Sequence, residues 1–101
     1  MTLRQEQSNF TRALGKLLVY INLMGYEATL GDTYPGKWKH CNNSYHNRGL
    51  AIDINLFRDG QYLQKSEDHA TIGAYWVSLG GTWGGNFKAK DGNHYSWNEG
   101  R

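Results

Sequence analysis

The chain has 101 residues and a formal net charge of +2, and it is 39 % hydrophobic and 14 % aromatic. That length suits a single domain, 1–101, with a modest core, and the mild, evenly spread charge excludes a nucleic-acid binder built on a basic patch. The lone cysteine, Cys41, excludes an internal disulfide, and no apolar run approaches the roughly 20 residues that cross a bilayer.

The first residues, Met1 to Gln7, lack the basic-then-apolar pattern of a signal peptide, so cytoplasmic synthesis without export of its own is expected. Thr2 and Gln5 fit a capping box, with Ser8 as a later N-cap. Phe10, Leu14, Leu17, Ile21 and Met24 follow at helical spacing, and Gly25 suits the C′ position. Tyr26 to Leu30 alternates as a short strand, and 31–44 has the composition of a loop. From Leu50 to Phe57 the alternation puts Leu50, Ile52, Ile54 and Leu56 on one face, with Ala51, Asp53, Asn55 and Phe57 on the other. Asp59-Gly60 predicts a hairpin returning through Gln61-Tyr62-Leu63. Ser66 is placed to cap a second helix, whose face carries Ile72, Trp76 and Leu79 and which ends at Gly80-Gly81. The rest reads as a Gly-rich loop and a strand around His94 to Trp97. The predicted class is α+β: two main helices packed on a small, mostly antiparallel sheet.

Two stretches carry chemistry. The first, Ser44 to Asp53, reads S-Y-H-N-R-G-L-A-I-D and places His46 before the strand and Asp53 within it, on the face away from the core stripe. An aspartate in mid-strand is unfavourable by propensity and costly to bury unless a cation lies beside it. The second, Asp91-Gly92-Asn93-His94, offers another histidine with a carboxylate three residues earlier. Two His and one Asp, with a fourth position left for water, make a catalytic zinc arrangement; a structural site would be closed by a fourth protein ligand. Zinc would lower the pKa of its bound water toward about 7 and polarise a carbonyl. Asp91 is then the candidate to take the water's proton and deliver it to the leaving amine.

The string S-x-H-x-x-G-x-A-x-D, followed by Trp83-Gly84-Gly85 and then D-x-x-H, resembles the D-alanyl-D-alanine carboxypeptidase and L-alanyl-D-glutamate endopeptidase family of zinc peptidases (VanY-like). The fold of that family is shared with the hedgehog signalling domain, and the pattern is most similar to its phage endolysin branch. The resemblance implies zinc ligands at His46, Asp53 and His94 and a catalytic carboxylate at Asp91. It implies bacterial peptidoglycan stem peptides as substrate, cut between L-alanine and D-glutamate, and a monomer. It also implies accumulation in a host cytoplasm until a membrane pore gives access to the wall. Related chains usually carry an Arg after an aromatic residue in the loop before the first histidine. Here that stretch reads Thr33-Tyr34-Pro35-Gly36-Lys37, so Lys37 and Arg48 are the candidate substrate-binding cations.

His69 falls in the first turn of the second helix, where packing or hydrogen bonding accounts for it. His40 beside Cys41 makes a poor second metal site. Glu99 rivals Asp91 as the base but lies beyond the family motif. Iron(II) oxygenases also use two His and a carboxylate, but within a barrel larger than this chain allows. A D-alanyl-D-alanine carboxypeptidase is the nearest alternative; a non-catalytic zinc module that binds cell wall would have no need of Asp91.

Overall fold

The computed structural model describes residues 1–31 and 48–99. Helix α1 spans Leu3–Leu23 and starts at the expected capping box. The Gln5 N–H donates to Thr2 Oγ1 (3.2 Å) and the Thr2 N–H to Gln5 Oε1 (2.8 Å), so two otherwise unpaired donors are satisfied and Ser8 falls inside the helix. The buried stripe is Phe10, Ala13, Leu17 and Ile21; Leu14 packs against the core half-buried, and Met24 is exposed. The helix ends in a Schellman motif. Gly25, at φ +86°, donates to the Asn22 carbonyl, and the Tyr26 N–H reaches back to that of Ile21 (both 3.1 Å). Arg58 covers this end, its guanidinium 4.0 Å over the Tyr26 ring and its Nη2 donating to the Met24 carbonyl at 2.7 Å.

Strands β1 (Glu27–Leu30), β2 (Ala51–Arg58) and β3 (Gln61–Tyr62) form antiparallel pairs, with Leu30 opposite Ile54 and Phe57 opposite Tyr62. The β2–β3 connection has positive φ at both Asp59 (+53°) and Gly60 (+77°), as a two-residue type I′ turn requires. Helix α2 (Ala70–Ser78) follows a single 3-10 turn over Ser66–His69. Ser66 does not cap it. The Asp68 carboxylate accepts the Lys65 N–H (3.1 Å), while Ser66 Oγ accepts the N–H of Gly92 (2.9 Å). Strand β4 (Gly81–Trp83), absent from the sequence reading, pairs with β5 (His94–Trp97), and the sheet order is β1-β2-β5-β4. Three residues beginning with glycine carry no alternation long enough to mark a strand.

Both helices share one core with the β2 stripe Leu50, Ile52, Ile54 and Leu56. Trp76 stands at its centre, fully buried, its indole N–H shared between the carbonyls of Ser96 (2.9 Å) and Thr82 (3.1 Å). Tyr95, opposite Ile52, projects into this core, so its neighbour His94 projects to the other face of the sheet. No helix among the described residues is long and apolar enough to cross a membrane.

Candidate active site

The antiparallel register sets Asp53 of β2 directly opposite His94 of β5. The Ile54 N–H donates to the Asn93 carbonyl (2.8 Å) and the Trp97 N–H to that of Leu50 (2.9 Å), so by alternation Asp53 and His94 occupy a non-hydrogen-bonded position. In that position facing side chains come closest. Asp53 Oδ1 lies 3.8 Å from His94 Nδ1. On its far side Asp53 neighbours Gly31, whose N–H donates to the Asp53 carbonyl at 2.8 Å. A Cβ on Gly31 would lie 3.0 Å from that of Asp53, so glycine keeps the space beside the carboxylate open.

The His94 ring is buried and held from several sides. Its Nε2 donates to Glu99 Oε1 at 2.7 Å, and the Phe87 ring lies 5.6 Å away. Burial opposes charge on the imidazole, but the neighbouring carboxylates of Asp53 and Glu99, with the charge of Asp91, outweigh it and raise the His94 pKa above the usual value. Glu99 reaches the ring because Asn98 adopts φ +61°, a conformation asparagine tolerates, and because the Glu99 carbonyl accepts from Thr82 Oγ1 at 3.0 Å.

The turn that carries Asp91 and His94 is locked from below. The His94 N–H donates to the Asp91 carbonyl (3.1 Å) and the Asp91 N–H to that of Gly84 (2.9 Å). Any side chain at Gly84 would collide with the Asp91 carbonyl and press on His94 Cβ. The Trp83 ring fills space that only glycine leaves at 73 and 85, and its Nε1 donates to the Gly92 carbonyl at 2.7 Å. Trp83-Gly84-Gly85 therefore fixes the position of the last motif. The Asp91 side chain is exposed and borders a polar cleft of about 230 Å³, shared with Lys65, Ser66, His69, Lys90 and Asn93.

His69 has the structural role expected of it: it is buried, with Nδ1 2.7 Å from the Tyr95 hydroxyl, and burial lowers its pKa against the opposing charge of Asp68. Arg48 is exposed, and its carbonyl accepts from Gln7 Nε2 of α1 at 2.7 Å. His46, Lys37, His40 and Cys41 lie outside the described residues. Among the described residues no three His, Cys, Asp or Glu side chains are arranged so that they could together hold a metal ion. Asp53 and His94 are the expected ligands brought together there, and their donors suit zinc. Adjacent ligands on a tetrahedral zinc, each about 2.0–2.1 Å from the ion, stand roughly 3.4 Å apart, close to the observed spacing. Glu99 is the contact that sequence reasoning missed, since nothing in its neighbourhood announces the turn at Asn98.

A small antiparallel sheet with helices on one face and a His–carboxylate pair on the other defines the class of protein. Its fold is similar to that of a Serratia marcescens L-Ala D-Glu endopeptidase, ChiX, with a TM-score of 0.71 at 18 % identity, over 94 % of this chain and 82 % of that one. The D-alanyl-D-alanine carboxypeptidase family profile matches residues 36–97, and the chain belongs to that peptidase family. No curated protein sequence matches the chain.

Proposed function

We propose that the chain is a zinc-dependent peptidase of the peptidoglycan stem peptide that cuts the L-alanyl-D-glutamate bond and acts as a phage endolysin. The observation that carries the metal reading is the Asp53–His94 pair, an oxygen and a nitrogen donor facing each other at 3.8 Å across two strands. His46 completes the donor set in this reading. Bound zinc supplies Lewis-acid chemistry, acidifying a water and polarising a carbonyl.

The chain's own residues do the rest. Asp91, on the turn that leads into β5, accepts a proton from the attacking water and passes it to the departing amine. The C–N bond breaks, and a carboxylate and an amine are the products. Arg48 or Lys37 holds a substrate carboxylate, Arg48 as a planar fork and Lys37 as a point charge. In a phage setting the protein would collect in the host cytoplasm and reach the wall through a membrane pore.

The bond preference rests on the resemblance to the endolysin branch and on the likeness in fold to an L-Ala D-Glu endopeptidase. The family description favours a second reading, release of terminal D-alanine. Digestion of purified peptidoglycan followed by mass spectrometry separates them. New glutamate amines on intact sugar strands are the expected product, free D-alanine alone would establish the carboxypeptidase, and new reducing ends would exclude both.

A further inference from the structure

The Glu99 carboxylate has no part in the chemistry assigned above, yet its side chain is only 8 % exposed and its Oε1 lies 2.7 Å from His94 Nε2. An ionised carboxylate can only accept a hydrogen bond, so this contact requires the proton on Nε2. The proton-free edge of a neutral ring is then Nδ1, which faces Asp53. The two nitrogens lie on opposite sides of the imidazole, so Glu99 stands behind the ring and Asp53 in front of it.

Its own placement is over-determined. The Thr82 hydroxyl holds its carbonyl, and the preceding Asn98 side chain donates to Glu6 Oε1 of α1 at 2.9 Å. Strand β4 and helix α1 thus fix one carboxylate against one ring. Histidines that ligate metals commonly donate their second N–H to a carboxylate, which sets the tautomer, orients the ring and increases its basicity.

We propose that Glu99 is a positioning residue that holds His94 as the Nε2–H tautomer, with the Nδ1 lone pair aimed past Asp53 at the metal position. The inference rests on the zinc reading above. Two measurements test it. In the metal-free protein at alkaline pH, where the ring is neutral, nitrogen NMR of the imidazole should report the Nε2–H form in wild type and a mixture of tautomers in Glu99→Ala. In chelator competition, Glu99→Ala should bind zinc about 10–100-fold more weakly than wild type, with Glu99→Gln between them because an amide oxygen still accepts. Asp91→Asn should leave zinc affinity unchanged.

Wild-type zinc affinity in a folded Glu99→Ala protein would overturn the proposal while leaving the zinc reading intact. If Glu99→Ala fails to fold, Glu99→Gln decides: a weaker neutral acceptor should lower zinc affinity, and affinity equal to wild type would overturn the proposal. A wild-type protein that binds no zinc would sink both readings together.

Discussion

At residue scale the site depends on what has been left out as much as on what is present. Asp53 keeps its space because Gly31 has no side chain, and His94 keeps its position because Gly84 lets the Asp91 carbonyl approach. Gly84→Ala should therefore destabilise the protein by about 1–3 kcal/mol, as overpacking does, and thermal unfolding would measure it. A neutral result would mean that the turn from Asp91 to His94 can shift without cost. Asp91→Asn conserves shape but removes the proton acceptor, so turnover should fall by about 10²-fold or more while zinc remains bound. Kinetics on a stem-peptide substrate would check this, and near-normal turnover would require a different base. Arg48→Ala should raise KM more than it lowers kcat, the pattern of an interaction made equally in ground and transition states. If Lys37→Ala gives that pattern and Arg48→Ala is silent, the loop before His46 carries the substrate cation.

At the scale of elements, α1 and β2 were legible because each satisfies several rules at once. Thr2 and Gln5 mark the start of α1, Phe10, Leu17 and Ile21 its buried face, and Gly25 its end. In β2 the period-two alternation named both the core face and Asp53 on the other. Loss of the cap in Thr2→Ala should cost about 1 kcal/mol in chemical denaturation without changing zinc content, because α1 supplies no donor to the site. Elements whose partners are remote in sequence were not legible. Ser66 has the composition of an N-cap, but the tertiary hydrogen bond to Gly92 claims its hydroxyl. Strand β4 exists because β5 lies beside it, with Thr82 opposite Ser96. Glu99 depends on the left-handed conformation of Asn98 and on Thr82, neither of which a linear pattern reveals.

At the scale of the whole molecule, the sheet separates two histidines with different duties. His69 is buried against Tyr95 on the core side, whereas His94 faces Asp53 on the other. Burial holds His69 below its ordinary value of 6.5, so the unfolded chain takes up this proton first as pH falls. Its contribution to stability is therefore present above about pH 6.5 and is lost as pH falls through the lowered folded-state pKa. Denaturation of wild type and His69→Gln across that window should show a steeper acid loss in wild type; parallel curves would mean that His69 does not titrate in this way. The opposite face carries the central claim, which zinc content tests most directly. Elemental analysis after dialysis should find one zinc per chain in wild type and in Asp91→Asn, and almost none in Asp53→Ala or His94→Ala. Full zinc occupancy in His94→Ala would contradict the account.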